Sequence, residues 1–346
     1  MLQELLGKKL ADAVLVLASN PWSDVPMPTL FTDPDRMEGV DPLAPVAPVS
    51  SARQASALTR SPSGKTVVLV LRPCEIRALI ELVKLNQCSL ENAIIISMDC
   101  LGRMENKIFS DEAKTGPGIT ERFLSSPELQ GKITTTCSTC NDFLPENADI
   151  TLCTLGAEPG HMGFEALTDK GKALLESLGF KKGDDLPKRK QDIAALADKR
   201  SLSKKELFDA TALQMSTIDG FQTFIGRCLN CYNCRTACPV CYCKECVFLT
   251  DVFAHPPELL LERATRRGAV KMPTDTSMFH LTRLSHIGHA CVGCGQCSSV
   301  CPSDIQVADM FRTVSEKTQA FFNYTPGRDV TEPIPQLVVR NGKRGD

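Results

Sequence analysis

The chain has 346 residues, of which 42% are hydrophobic, and its 39 basic side chains nearly balance 41 acidic ones. At about 150 residues per domain this length suggests two domains, and the apolar content excludes a wholly disordered chain. A net charge of −2 provides no field that would attract nucleic acid or an anionic membrane. The sequence contains no run close to the roughly 18 apolar residues of a membrane-spanning helix and no long apolar signal segment, so we expect a cytoplasmic protein.

The first ~155 residues alternate strand-like and helix-like segments, which is typical of an α/β domain. Residues 66–71 predict a buried strand, residues 74–85 have apolar side chains at helical spacing, and residues 93–98 predict a second strand. A strand-helix-strand unit of this kind joins two parallel strands by a right-handed crossover. Further strands are expected at residues 13–18, 132–136 and 149–153.

Beyond residue 180 the composition changes twice. Residues 181–218 contain many charged side chains of both signs, which predicts a solvated linker with short helices, with a partner-docking surface as the alternative. Residues 219–346 are rich in cysteine and helix-compatible segments and end in an extended tail. The predicted architecture is therefore an α/β N-terminal domain with a partly parallel sheet over residues 1–180, the linker, and a mainly α-helical domain over residues 219–346.

Cysteine is unusually frequent, with 17 residues in the chain. Eleven of them lie in two groups in which one to three residues separate neighbouring cysteines. The odd total, the tight spacing and the missing export signal favour metal ligation in a reducing compartment over disulfides.

One cysteine motif, Cys-x2-Cys-x2-Cys-x3-Cys-Pro, occurs twice, beginning at Cys228 and at Cys291. This is the spacing of bacterial ferredoxins with two 4Fe-4S clusters, in which the fourth cysteine of each motif ligates the other cluster. Tetrahedral zinc, the alternative, usually takes paired Cys-x2-Cys units separated by a loop. Helix-like segments between the two motifs favour a helical ferredoxin. The predicted ligand sets are Cys228, Cys231, Cys234 and Cys301 for one cluster, and Cys291, Cys294, Cys297 and Cys238 for the other.

Three further cysteines follow the first motif at Cys241, Cys243 and Cys246. They could ligate a zinc ion or an additional cluster, or they could be free thiols close to the other clusters. The candidates for a fourth ligand are Cys88, Cys153 and a histidine. For the histidines before Cys291, packing or solvent exposure is the expectation; these are His280, His286 and His289.

Two cysteines directly follow predicted parallel strands, Cys74 after residues 66–71 and Cys100 after residues 93–98. Because the carboxyl ends of parallel strands share one edge of a sheet, both sulfurs should emerge on the same side. Cys137 and Cys140 reach that edge if the strand predicted at residues 132–136 is also parallel. Four converging thiols would bind another 4Fe-4S cluster, and scattered buried cysteines are the alternative.

Several segments of the N-terminal region resemble the deazaflavin-coenzyme (F-420) hydrogenase/dehydrogenase beta-subunit family. The resemblance lies in residues 72–78, 98–102, 137–143, 148–150 and 167–175, and it covers about residues 65–180. It implies that Cys74, Cys100, Cys137 and Cys140 bind a third 4Fe-4S cluster beside an FAD, which exchanges electrons with a reduced carrier. Residues 279–301 and 324–328 resemble helical ferredoxin modules of formate-dehydrogenase-type and heterodisulfide-reductase-type carriers.

The flavin pocket has a weaker sequence signal. The first ~60 residues match the family poorly, and the chain has no complete Gly-x-Gly-x-x-Gly fingerprint. A glycine-rich loop with Gly156, Gly160 and Gly163 could let backbone amides approach a flavin pyrophosphate, and a simple turn is the alternative.

Together these features predict an FAD-containing iron–sulfur electron-transfer subunit of a soluble oxidoreductase complex in an anaerobe. The expected partner is a formate dehydrogenase, a hydrogenase or a heterodisulfide-reductase-like protein. A flavin-free polyferredoxin-like adaptor without a catalytic site of its own is the alternative, whereas cysteine spacing and balanced charge disfavour a zinc scaffold or nucleic-acid module. The sequence identifies no general acid or base.

Overall fold

Runs of branched apolar residues form a six-stranded sheet in the N-terminal region of the computed structural model, which describes residues 1–158, 160–183 and 185–335. The strands are β1 (Ala13–Asn20), β2 (Ser23–Phe31), β3 (Val67–Val70), β4 (Ala93–Met98), β5 (Ile150–Cys153) and β6 (Gly163–Ala166). Their order across the sheet is β2-β1-β3-β4-β5-β6. The four inner strands are parallel, and the edge strands β2 and β6 pair antiparallel to their neighbours. The predicted α/β fold with a partly parallel sheet is confirmed.

Helices follow the parallel strands and make up the C-terminal region. The first eight are α1 (Leu2–Gly7), α2 (Ser51–Leu58), α3 (Pro73–Lys84), α4 (Asn106–Lys114), α5 (Ile119–Ser125), α6 (Pro127–Gln130), α7 (Thr135–Ser138) and α8 (Asp169–Ser177). The next are α9 (Arg189–Gln214), α10 (Ile218–Phe224), α11 (Asn233–Thr236), α12 (Pro257–Arg267), α13 (Thr276–Ile287), α14 (Gln296–Ser299) and α15 (Val307–Phe321). The mainly helical C-terminal region is as predicted. Within the described ranges, the helices that the structure contains are all too short or too polar to cross a bilayer.

The centre of the sheet is buried on both faces. Every residue of β3, β4 and β5 is buried, which explains why these strands have continuous apolar sequences instead of alternating ones. One face belongs to a core that also contains Val292 and Phe311 of the C-terminal region. This shared core fixes the cysteine-rich region against the α/β sheet.

The connection from β3 to α3 is held by a buried carboxylate. Pro73 occupies the first turn of α3, where its missing N–H is not needed. Glu75 accepts hydrogen bonds from the backbone amides of Arg72 at 3.0 Å and Ser51 at 2.6 Å. These bonds fix the position of Cys74, which lies between Pro73 and Glu75.

The strand predicted at residues 132–136 is wrong. Thr134 precedes α7, and its hydroxyl accepts a hydrogen bond from the backbone amide of Cys137 at 3.2 Å. Threonine has a high strand propensity but is also a favoured helix N-cap, and the capping bond prevails here. The amide of Thr134 donates to the carbonyl of Arg103 at 2.8 Å, so the segment still lies at the carboxyl edge of the sheet.

The prediction of short helices within residues 181–218 is also wrong, because one long helix, α9, occupies most of this range. Pro187 lies before its first turn and does not interrupt it. Opposite charges one turn apart support the helix, as in the 2.6 Å pair between Lys205 and Asp209. The helix packs against α15, where Lys204 pairs with Glu316 at 2.6 Å.

After α15 the chain returns to the N-terminal region. Glu81 of α3 is fully buried and accepts hydrogen bonds from the Tyr324 hydroxyl at 2.7 Å and the Gly327 amide at 2.8 Å. Arg77 donates to the carbonyl of Pro326 at 2.9 Å. We call these contacts the α3 clasp. The beginning of the predicted extended tail is therefore packed against α3. Its continuation beyond residue 335 lies outside the described residues.

Replacing Gly327 by alanine tests the α3 clasp. Gly327 has φ +75°, and a Cβ there would lie 2.3 Å from the Cα of Arg77, so alanine adds both backbone strain and a clash. Gly268 is the matched control, because it also has φ +75° but has open space at its Cβ position. We expect Gly268→Ala to cost about 1–2 kcal/mol and Gly327→Ala to cost more, measured as lower Tm by circular dichroism under anoxia. Equal losses in the two variants would contradict the close packing of the clasp.

Candidate metal centre

Four cysteines of the N-terminal region converge at the carboxyl edge of the sheet. Cys74 lies in the first turn of α3, Cys100 follows β4, Cys137 is on α7, and Cys140 follows that helix. The thiol of Cys74 lies within electrostatic reach of Cys100 and Cys140, and both of these thiols interact with Cys137. The structure thus brings together the set predicted from the sequence, which we call the N-terminal quartet.

The cysteines of the two repeated motifs form two further groups, and the grouping is crossed as predicted. Cys234 interacts electrostatically with the other three members of the distal quartet, which consists of Cys228, Cys231, Cys234 and Cys301. Cys297 interacts with the other three members of the middle quartet, which consists of Cys238, Cys291, Cys294 and Cys297. Cluster ligation by each set remains a prediction.

The two motifs share their backbone conformation as well as their spacing. The third cysteine of each lies on a one-turn helix, α11 or α14. The residue before the second cysteine and the one after it have positive φ in both copies: Asn230 and Tyr232 in the first, Gly293 and Gly295 in the second. Tyrosine rarely adopts the left-handed backbone conformation. Tyr232 does so here, which shows that the shape of the loop prevails over the conformational preference of the residue.

The N-terminal and middle quartets are direct neighbours. The thiol of Cys74 interacts with that of Cys294. Gly295 allows this approach, because a Cβ there would lie 2.8 Å from the side chain of Thr136 on α7. The side-chain nitrogen Nε2 of Gln296 donates to the carbonyl of Ala47 at 2.9 Å, which ties the same loop to the N-terminal region. The three quartets therefore lie in series, with the middle quartet between the other two.

Burial disfavours the thiolate form of these cysteines when no metal is bound. It raises the pKa of Cys140 and of Cys294 to about 11, and it raises the pKa of Cys74 and Cys297 well above the ordinary value. A bound metal compensates this cost because it stabilises the thiolate directly. Binding of iron at these sites would therefore release protons.

Buried arginines surround the quartets, and the sequence analysis missed them. One of them, Arg103 beside Cys294, pairs with Glu105 at 3.8 Å. The other four are Arg72 and Arg200 beside Cys100, Arg312 beside Cys140, and Arg283 beside Cys234. In the part of the chain that the structure describes, none of these four has a carboxylate within 4.0 Å. A buried cation is costly unless an anion balances it, and cluster sulfurs with their thiolate ligands would supply that negative charge. The residues present therefore fit iron–sulfur clusters.

His280 is buried as expected, but it also contacts a cysteine of the distal quartet. Its Nε2 atom lies 3.4 Å from Sγ of Cys228. Burial, and next the charge of Arg283, lower the pKa of His280 to about 4, so the ring is neutral at pH 7 and can donate to sulfur. His289 is also buried, near the ring of Tyr324, and His286 is exposed.

The additional cysteines Cys241, Cys243 and Cys246 lie near one another, with Cys243 exposed. Two of the suggested fourth ligands are engaged elsewhere, since Cys88 contacts Ser56 and Thr59 and Cys153 lies 3.7 Å from Oε2 of Glu165. Across the described ranges, no three His, Cys, Asp or Glu side chains are spaced to hold a single metal ion. Metal binding by these three cysteines remains a prediction.

An apolar cavity of about 340 Å³ opens on the opposite face of the sheet from the shared core. Its floor is formed by Val70, Ile96 and Leu152, which lie toward the carboxyl ends of three parallel strands, and Met162 and Phe164 form a wall. Ligands of open α/β sheets bind at these strand ends, and a volume above ~300 Å³ is in the range of small-molecule sites.

The glycine-rich loop has a structural role that the sequence did not reveal. Gly156 has φ +76°, and a Cβ there would lie 2.4 Å from the backbone nitrogen of Arg189, so glycine is needed for the approach of α9. Buried Asp99 anchors the loop by pairing with Arg189 and accepting the amide of Thr154 at 2.9 Å. Gly160 has open space around it, and Gly163 contacts Cys153. A flavin contact by this loop remains a prediction.

Comparison with known proteins identifies relatives over nearly the whole chain, although no family model matches. The F420-dependent formate dehydrogenase subunit beta of Methanocaldococcus jannaschii is 26% identical over 95% of this chain and 90% of its own length. The F420-dependent formate dehydrogenase 1 subunit beta of Methanococcus maripaludis is 27% identical over 77% of this chain and 74% of its own. Sulfhydrogenase 2 subunit beta of Pyrococcus furiosus is 31% identical over 35% of this chain and 40% of its own.

These relatives confirm the resemblance to the beta-subunit family. An alignment over 95% of the chain also includes most of the first 60 residues, which the sequence analysis had left unmatched. Among solved structures, a chain of the F420-reducing NiFe hydrogenase complex from Methanosarcina barkeri has a TM-score of 0.46 and 15% sequence identity, and the match covers 63% of this chain and 85% of that one.

Paired substitutions test the crossed grouping of cysteines. If each cluster takes its fourth ligand from the other motif, Cys231→Ser with Cys301→Ser removes one cluster, or about four irons. The matched variant Cys231→Ser with Cys238→Ser then removes two clusters, or about eight irons. Iron and sulfide are measured on protein purified under strict anoxia. Local ligation would give the reverse pattern, with the larger loss in the first variant.

Proposed function

We propose that this chain is an electron-transfer subunit of an oxidoreductase complex and binds three 4Fe-4S clusters and an FAD. The observation that carries the proposal is the series of three cysteine quartets, each formed from segments distant in sequence. A single cluster could serve structure alone, whereas three neighbouring ones support conduction of electrons. The relatives named as subunits of formate dehydrogenases and of a sulfhydrogenase support a role within a complex.

The thiols of the quartets and the groups around them have distinct roles in this proposal. Four thiolates hold each cluster, and the buried arginines balance part of its negative charge. When bound, the clusters would pass single electrons along the series, and the flavin would exchange them with a two-electron carrier. Backbone amides also donate to sulfur, as Gly102 does to Cys100 and Gln296 to Cys294, which favours the anionic form of each ligand.

The distal quartet is the proposed point of contact with a partner protein. Cys231 is the one exposed thiol among the twelve quartet cysteines. The middle quartet is covered on one side by the N-terminal quartet, through the contacts of Cys294 and Gly295. A partner's redox centre can therefore come closest at Cys231. We propose a formate dehydrogenase, hydrogenase or heterodisulfide-reductase-like catalytic subunit as that partner.

The flavin is proposed for the apolar cavity at the carboxyl ends of β3, β4 and β5. Ile96 and Leu152 on its floor lie a few residues before Cys100 and before the glycine-rich loop, respectively. A flavin ring there would lie close to the first cluster of the series. Because two relatives are named F420-dependent, a deazaflavin is the proposed two-electron carrier.

A flavin-free adaptor is the second candidate. It is favoured by Gly156, because the approach of Arg189 explains this glycine without any cofactor. Flavin analysis of the native protein separates the two proposals.

The number of clusters is tested by iron analysis of single variants. We expect about 12 irons in the native chain and about eight in Cys140→Ser, because that variant loses one ligand of the N-terminal quartet. Cys88→Ser is the matched control, since Cys88 is a buried thiol of the same region that contacts Ser56 and Thr59. It should retain all of the iron. A Cys140→Ser protein with the native iron content would refute the third cluster.

The flavin site is tested by filling the cavity. Ile96→Phe should abolish FAD binding and leave all three clusters in place, because the larger side chain takes up space where a ring would bind. Ile94→Phe overpacks the same face of the same strand away from the cavity lining and should keep the flavin. FAD is released by denaturation and measured by fluorescence. Full flavin content in Ile96→Phe would place the cofactor elsewhere.

A further inference from the structure

One buried arginine, Arg283 of α13, contacts the distal quartet directly. Its side chain is only 4% exposed. Nη1 donates to Sγ of Cys234 at 3.1 Å, and Nη2 donates to the carbonyl oxygen of the same residue at 3.2 Å. The guanidinium also lies over the rings of Phe311, at 4.6 Å, and Phe279, at 5.5 Å. These contacts leave the charged group little freedom to turn away from the sulfur.

The same guanidinium faces the middle quartet. Arg283 lines a small apolar cavity together with Cys238, Cys294 and Cys297. Its charge acts on Cys238 and Cys297 as well as on Cys234. Arg283 therefore lies between the two quartets of the helical region and belongs to the surroundings of both.

No acidic side chain balances this charge in the described ranges. Arg283 has no carboxylate within 4.0 Å, and its Nε atom has no hydrogen-bond partner there. Arginine keeps its proton at all relevant pH values, so the positive charge is permanent. The charge acts on sulfurs of the two quartets, on the thiol of Cys241 and on the neutral ring of His280.

We propose that Arg283 is a shared positioning residue that raises the reduction potentials of the middle and distal clusters together. The inference rests on the proposed function, because it requires that both quartets hold clusters. Reduction adds one electron to a cluster without a proton, so each cluster becomes more negative by one charge. A fixed cation beside the sulfurs stabilises that reduced state, and hydrogen bonds to sulfur act in the same direction.

The two clusters should respond unequally. The distal cluster has both the charge and the hydrogen bond to Cys234, whereas the middle cluster has only the charge. The N-terminal cluster has its own arginines, Arg72, Arg200 and Arg312, and serves as an internal reference. This ordering is a signature that a merely structural role of Arg283 would not produce.

The test is a redox titration of the full chain, followed by EPR under anoxia, in Arg283→Gln, Arg283→Lys and Arg266→Gln. Arg266 is an exposed arginine on α12 and is the matched control for loss of one charge. Signals are assigned with Cys140→Ser, which lacks the N-terminal cluster, and Cys231→Ser, which lacks the distal one.

We expect Arg283→Gln to lower the equilibrium constant for reduction of the distal cluster about tenfold or more, equivalent to about 59 mV for one electron. The middle cluster should shift in the same direction by less, and the N-terminal cluster should not shift. Arg283→Lys keeps the charge, so the middle potential should stay at the native value and the distal one should fall by less than tenfold. Arg266→Gln should leave all three potentials unchanged.

Each outcome either supports or overturns the proposed role of Arg283. Unchanged potentials in an Arg283→Gln protein with full iron content would overturn the proposal, as would an equal shift in Arg266→Gln. If Arg283→Gln does not retain its clusters, Arg283→Lys decides, and a shifted middle potential with the charge kept would overturn the proposal. A native protein without iron at the two motifs would refute the proposed function itself, whereas native iron with unmoved potentials refutes only the role of Arg283.

Discussion

Four of the arginines that are buried beside the cysteine quartets have no carboxylate within 4.0 Å in the described ranges. A buried cation is costly unless an anion balances it. The surrounding sulfurs would supply that negative charge as thiolates, and the carboxyl of Asp309 also lies within electrostatic reach of Arg312. Protonated thiols carry no charge, and burial keeps these thiols protonated in the absence of metal. Binding of a cluster would therefore be coupled to stability, since it would organise the cysteines and its anionic sulfurs would balance the arginines.

The α/β sheet and the helical region contribute to one site because their packing is continuous. The carboxyl edge of the sheet supplies the N-terminal quartet, and one core extends from the sheet to Val292 and Phe311. Gly295 then lets the second motif approach α7 closely enough for the quartets to be neighbours. Side chains outside the quartets fix the series, and the spacing of the quartets follows from ordinary packing.

The sequence predicted those features that depend on local pattern or on a strict motif. The parallel strands at β3 and β4, the helix α3 and the crossed quartets follow from periodicity and spacing. The strand at residues 132–136 failed because a capping bond of Thr134 competes with strand propensity, and single-sequence patterns do not weigh the two. The buried arginines and the apolar cavity were not predicted, since an arginine in a helix pattern is normally placed on the surface. For Arg283, the signal in the sequence was its position on the apolar side of α13, which indicates a buried side chain.

The α3 clasp gives the molecule a fixed order of events during its synthesis. Tyr324 and Gly327 lie after the last of the cysteines in the chain, and both bind Glu81 near its beginning. The ribosome therefore delivers every thiol before this contact can form. The clasp therefore closes on a chain whose 17 cysteines have all been synthesised already.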